Sequence, residues 1–315
     1  MSAPSGQAVV AVVGPTAAGK SDLGIALARA LGGEVVNTDS MQLYRGMDIG
    51  TAKLTPAERA GVPHHLLDIW EVTETASVAE YQRLARAAVD ALRTAGRVAV
   101  LVGGSGLYVR AVLDRMEFPG TDPAGRTALE AELAAVGPGA LHRRLAELDP
   151  VAAGRIEPGN RRRTVRALEV VLGSGRPFSS YGPGLQAYPP TAVTMIGLRW
   201  PRPALAERVA TRVGAMMAAG LLDEVARVAA GGLSRTAAQA LGYKELIEHL
   251  EGRSTLDAAV DSIIVRTRQF AVRQDRWFRR DPRVRWIDVD RDPVAEAVPA
   301  VVDALTSEPE PGSAP

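Results

Sequence analysis

The sequence predicts an α/β fold, with a parallel-sheet core interrupted by a helical insertion. Three observations predict it. Short apolar runs rich in valine recur at residues 8–13 (AVVAVV) and 98–102 (VAVLV), and a briefer one begins at Val35-Val36. Runs of this kind suit strands buried on both faces of a sheet. Helical periods lie between them, the alternation that doubly wound sheets require. Residues 119–190, in contrast, hold helical patterns without a strand-like run.

Taken in order, strand 8–13 stops at Gly14, and a helix over 21–31 follows. Leu23, Leu27 and Leu31 share one face of that helix, and Gly32-Gly33 end it. A second strand runs from Val35 to Asp39. Residues 79–94 read as a helix with Tyr81, Leu84, Ala88 and Leu92 in register, before strand 98–102 meets Gly103-Gly104. Within the insertion, helices are expected at 128–135 and 161–172. Arg162 and Arg166 share one face of the latter, while Val165, Leu168 and Leu172 form the opposite, buried face. A Gly- and Pro-rich loop over 179–190 closes the insertion, and a strand resumes at 193–198. Long helical patterns at 204–230 and 256–280 complete the core. The expected division is a flexible 1–7, a core of 8–118 with 191–306, an insertion of 119–190, and a tail 307–315 (SEPEPGSAP) disordered by composition.

The 315 residues allow about two domains. Net charge is 37 − 36 = +1, which excludes a uniformly basic coat for nucleic acid but not a local basic patch. Zero cysteines exclude disulfides, a cysteine nucleophile and a thiolate zinc site. Neither a signal peptide nor a membrane-length apolar run is present, so a cytoplasmic protein without membrane contact is expected, and a monomer. Lysine occurs only at Lys20, Lys53 and Lys244 against 34 arginines. Lysine kept amid such a bias suggests positions that need a compact ammonium rather than a planar fork.

Gly14-Pro15-Thr16-Ala17-Ala18-Gly19-Lys20-Ser21 matches G-x-x-x-x-G-K-[ST], between a strand and a helix as the motif requires. Its glycines let backbone N–H groups converge on phosphate oxygens, the helix start adds positive potential, Lys20 adds a point charge, and Ser21 suits Mg²⁺. The core is therefore P-loop NTPase-like. Strand 98–102 ends in Gly-Gly-Ser-Gly rather than in the aspartate of a typical NTP hydrolase. Gly104-Ser105-Gly106 is no dinucleotide fingerprint, because Val109 occupies the third glycine position. Residues 39–53 (DSMQLYRGMDIGTAK) form a long polar loop where α/β ligands sit. Asp39 there reads equally as a general base or metal helper and as a helix cap. His64-His65 near Asp68 read as structural.

The segments GPTAAGKS, TDSMQLYRGMDIGTAK, PHHLLDI and LVGGSGLY resemble, in order, those of the bacterial tRNA dimethylallyltransferase (tRNA isopentenyltransferase) family. So do Arg162-Arg163-Thr164-Val165-Arg166, the helix of Arg208 and Arg212 running to Gly220-Leu221, Ala240-Leu241-Gly242-Tyr243-Lys244-Glu245, and Thr267-Arg268-Gln269. Together they cover about residues 8–287. The resemblance implies transfer of a dimethylallyl group from its diphosphate to N6 of the adenosine 3′ of a tRNA anticodon. It assigns catalysis to Asp39, Ser105 and Arg212. It gives the diphosphate to the loop Gly14–Ser21 with Lys53 and Arg208, and Mg²⁺ to Ser21. It gives tRNA to Asp39, Ser40, Met41, Gln42, Ser105, Arg126, Arg162, Arg163 and Arg166. Ser105 stands where the family usually has threonine.

Charge adds an expectation of its own. Residues 155–176 carry 6 − 2 = +4, and residues 266–285 carry 8 − 2 = +6 with Trp277, Phe278 and Trp286 interleaved or adjoining. Arginine with aromatics suits RNA phosphates and stacked bases, although solvated helices with core aromatics explain either stretch alone. A prenylating enzyme for free adenine nucleotides, an ATP-dependent small-molecule kinase and a non-catalytic RNA-binding module are the competing readings.

Overall fold

The computed structural model describes residues 9–114, 116–181, 184–185 and 187–306. The expectations for 1–7 and 307–315 lie outside these residues. The chain begins with β1 (Val9–Val13), α1 (Lys20–Leu31), β2 (Glu34–Asn37), β3 (His64–His65), α2 (Val78–Thr94), β4 (Ala99–Val102) and α3 (Gly106–Leu113). Three helices follow, α4 (Pro123–Leu148), α5 (Pro150–Arg155) and α6 (Arg161–Ser174). The chain continues as β5 (Thr194–Arg199), α7 (Arg202–Ala218), α8 (Leu221–Ala230), α9 (Tyr243–Leu250), α10 (Leu256–Phe278), β6 (Val284–Asp288) and α11 (Pro293–Thr306). Two compact units result, Asp114–Pro189 and the remainder.

The larger unit is built on one parallel six-stranded sheet of order β3-β2-β4-β1-β5-β6. The apolar runs of β1 and β4 occupy its centre, with Val10 beside Val100 and Val12 beside Val102. Both faces are covered, as continuous apolar strands demand. Leu23, Leu27 and Leu31 of α1 pack on one face with Ala297 and Val301 of α11. Tyr81, Ala85, Val89 and Leu92 of α2 pack on the other with Phe278 of α10. The buried stripe of α2 is thus turned slightly from the expected one, leaving Leu84 and Ala88 half-buried at its margin. Gly220, with φ 95°, breaks the expected helix 204–230 into α7 and α8. A third apolar cluster joins α7–α10 to Tyr44 and Met47 of the polar loop.

The smaller unit is helical around Leu129, Leu141, Leu145, Val165 and Leu168. Gly137, with φ 78°, and Pro138 kink α4. Leu172, expected inside, is 49% exposed. Among the described residues no helix is long and apolar enough to cross a membrane.

Candidate active site

The motif loop turns from β1 into α1 with Gly14 at φ 131°, Ala17 at φ 64° and Gly19 at φ 90°. Three of its carbonyls are held by side chains. Lys20 Nζ donates to Pro15 O at 2.7 Å, Arg208 Nε to Ala17 O at 2.8 Å, and Trp200 Nε1 to Ala18 O at 3.0 Å. These three bonds fix the path of the loop between β1 and α1. Arg208 also lies 4.3 Å over the Trp200 ring. Its Nε is therefore a brace for the loop, and the donors on its two Nη atoms are not part of that bond.

Arg212, one turn further along α7, lines a cavity of about 350 Å³. Thr16 of the loop, Asp39, Ser40, Met41 and Ser105 line the same cavity. Val209, Val213, Met216, Leu221 and Ile263 give it an apolar wall. Burial, and next the charge of Arg212, draw the Lys20 pKa down to about 8, with Asp39 opposing. Burial also lowers that of Arg212, which Asp39 and Asp22 counter. The cavity thus joins a cationic end, a carboxylate and an apolar surface.

Asp39 is positioned by the end of β2. Asn37, buried beside it, accepts from the Asp39 N–H at 2.9 Å and donates to Leu66 O at 3.0 Å. The Tyr81 hydroxyl donates to Asn37 O at 2.9 Å. Asp39 Oδ1 accepts from Met41 N–H at 2.9 Å, a local turn with no helix after it, which answers the capping reading. Ser105 Oγ accepts from Ser40 N–H at 3.2 Å and lies 3.1 Å from Ser40 Oγ. The loops after β2 and β4 are thereby joined.

Gln274 of α10, buried and not anticipated, connects the phosphate loop to the loop after β4. Its Oε1 accepts from Thr16 N–H at 2.8 Å, and its Nε2 donates to Gly104 O at 3.0 Å. A Cβ on Gly104 would stand 2.2 Å from that Nε2, and one on Gly106 would stand 1.9 Å from Trp277 Nε1. The glycines after β4 therefore serve close approach by α10. Glu224 was missed as well, although it follows the quoted Gly220-Leu221.

Several expected ligands are engaged elsewhere. Lys53 does not line the cavity. Its ammonium is buried and donates to Tyr44 O at 2.8 Å, Asp48 Oδ1 at 2.6 Å and Asp68 Oδ1 at 2.5 Å. Those three bonds exhaust its donors, so its diphosphate role is withdrawn. Gln42 Nε2 donates to Thr51 O at 3.1 Å and Ala52 O at 3.3 Å, so its amide nitrogen braces a loop. His65 Nε2 meets Glu34 Oε2 at 2.6 Å, and His64 Nδ1 meets Val62 O at 2.9 Å.

In the smaller unit, Arg126 and Arg166 converge on buried Glu169 at 2.7 and 2.9 Å. Burial opposes ionisation of Glu169, but the Asp122 N–H and both arginines hold its pKa below the usual value. Arg166 further donates to Pro119 O at 2.7 Å and Gly120 O at 3.0 Å. Both help to fold this unit while keeping part of each side chain exposed. Arg162 and Arg163 stand exposed at the start of α6.

The basic stretch 266–285 is corrected too. Phe278 is core, and Trp277 and Trp286 pack against that core rather than presenting faces for stacking. Arg266, Arg279 and Arg283 pair with Glu245, Asp275 and Asp281 at 2.7, 2.8 and 2.6 Å.

The IPP transferase family model matches residues 42–281. A tRNA dimethylallyltransferase of Streptomyces coelicolor is 62% identical over 288 residues, covering 91% of this chain and 92% of that protein. One of Thermobifida fusca is 57% identical over 302 residues, covering 93% and 94%. Among solved structures, the full-length tRNA isopentenylpyrophosphate transferase of Bacillus halodurans is 40% identical, covers 95% of this chain and 97% of its own, and has a TM-score of 0.69. With the parallel sheet, the phosphate loop and matches running nearly end to end, the chain belongs to the IPP transferase family.

Proposed function

We propose that the protein transfers a dimethylallyl group from dimethylallyl diphosphate to N6 of the adenosine immediately 3′ of a tRNA anticodon, releasing diphosphate. One observation carries this reading: a single cavity brings together Asp39, the phosphate-loop residue Thr16, Arg212 and an apolar wall. A prenyl donor needs an anion site beside an apolar one, and an amine acceptor needs somewhere to place its proton. The relatives' names carry the same chemistry.

In the reaction the carbon–oxygen bond to the diphosphate breaks, and its electron pair leaves with the oxygen. The N6 lone pair forms the new carbon–nitrogen bond, and the N6 proton passes to the Asp39 carboxylate. Lys20 and Arg212 stabilise the charge growing on the leaving group. Ser21 opens α1 beside Lys20, and its hydroxyl has no hydrogen-bond partner among the described residues. One hydroxyl, completed by substrate phosphates and water, fits Mg²⁺, which supplies charge neutralisation when bound. The adenine must leave the anticodon stack to enter such a cavity. Arg162 and Arg163, in the exposed first turn of α6 with Arg161, are placed to follow the RNA backbone.

Mass spectrometry of an anticodon stem-loop incubated with protein, Mg²⁺ and dimethylallyl diphosphate tests the reading. One added dimethylallyl group on the adenosine is expected, and Asp39→Ala should lose most transfer, at least about 100-fold, while still binding the RNA. Preference for AMP over the stem-loop would favour the free-nucleotide enzyme, and phosphate transfer from ATP the kinase.

A further inference from the structure

Glu224 of α8 is 2% exposed, and its hydrogen-bond donors are three backbone amides and a tyrosine hydroxyl. Its Oε2 accepts from Asp48 N–H at 3.0 Å and Ile49 N–H at 2.8 Å. Its Oε1 accepts from Gly50 N–H at 3.0 Å and from the Tyr243 hydroxyl at 2.5 Å. A buried carboxylate satisfied by dipoles alone is expensive to desolvate. Three consecutive amides on one carboxylate fix a stretch of chain more firmly than water or a neutral side chain does.

That stretch continues as Gly50, Thr51 and Ala52, which line the cavity. Gly50 is pressed on Tyr243 so closely that a Cβ would lie 2.5 Å from the ring. On its other side, Gln42 holds Thr51 O and Ala52 O, and Gln42 belongs to the same short segment as Asp39 and Ser40. The phosphate loop is braced separately, by Gln274, Arg208 and Trp200.

We infer that Glu224 is a positioning residue for the acceptor: gripping 48–50, it sets the wall that holds the adenine against Asp39 and leaves the diphosphate site alone. The inference rests on the functional reading above. Its test is steady-state kinetics of wild type, Glu224→Gln and Tyr243→Phe, varying stem-loop RNA and dimethylallyl diphosphate separately, with melting curves alongside. Glu224→Gln keeps the side chain's volume and loses one acceptor oxygen. The expected result is an RNA KM raised about tenfold in Glu224→Gln and less in Tyr243→Phe, with the donor KM within about twofold of wild type. Lower kcat tracking the folded fraction, with both KM values unchanged, would overturn the role. So would a donor KM that rises as much as the RNA KM. If Glu224→Gln fails to fold, Tyr243→Phe alone decides between these results. Wild type that prenylates no adenosine would sink the functional reading and this inference together, whereas active wild type with normal variants would sink the inference alone.

Discussion

Lys20 must carry charge in a place that resists it. With a pKa near 8, the free enzyme loses that charge above about pH 8. Diphosphate binding should therefore weaken several-fold between pH 7 and pH 9, read by titration calorimetry with inorganic diphosphate. Lys20→Ala should keep only the slope due to the ligand's own ionisation, and identical slopes would remove Lys20 from the anion site. The effect on stability has the opposite sign. The unfolded lysine, at 10.5, holds more protons than the folded one between about pH 8 and 10.5, so this residue's contribution to stability rises with pH across that window.

Lys53 shows the limit of compositional reasoning. The arginine bias singles it out as a place for a compact ammonium, and its surroundings are Tyr44, Asp48 and Asp68 rather than a ligand. Lys53→Arg should cost about 1–3 kcal/mol of stability in a denaturant titration, because a planar fork overfills a site shaped for three radial donors. Unchanged stability would show that the pocket tolerates the fork. Gln274 and Glu224 escaped notice because a glutamine or glutamate in an amphipathic helix has an ordinary pattern; only tertiary placement gives it neighbours.

At the scale of elements, α6 divides its arginines by direction. Arg161, Arg162 and Arg163 sit in the exposed first turn, whereas Arg166, with Arg126 of α4, faces buried Glu169. Replacing Arg162 and Arg163 together with alanine should lower the salt dependence of RNA binding by about two phosphate contacts at unchanged melting temperature. Unaltered log–log slopes in a filter-binding series would take them off the interface. Elements with strong patterns were legible: the valine runs of β1 and β4, and the leucine stripe of α1. β6 was not, because Val-Arg-Trp-Ile-Asp at a sheet edge lacks a continuous apolar run. β3 is two residues long and depends on the register of β2 rather than on propensity.

For the molecule as a whole, composition announced balance, and the balance is local. Of the eight arginines in the stretch 266–285, Arg266, Arg279 and Arg283 meet a carboxylate and Arg268 a carbonyl. A charge count along the stretch includes Asp275 and Asp281 but not Glu245, which reaches Arg266 from α9. The alternation of strands and helices was enough to foresee a parallel sheet, but its order was not, since β1 takes its two neighbours from residues near 100 and near 195.

That order has a consequence for how the protein is made. The first strand emerges from a ribosome long before β5 exists to pair with it. The phosphate loop waits longer still, since Gly19 rests against Pro293, and Ala297 and Val301 of α11 cover α1. A growing chain carries the complete phosphate-loop sequence within its first few dozen residues, yet lacks the packing that shapes it until almost the whole chain has been translated. The packing around the phosphate loop is therefore completed late, by residues translated more than 270 positions after it.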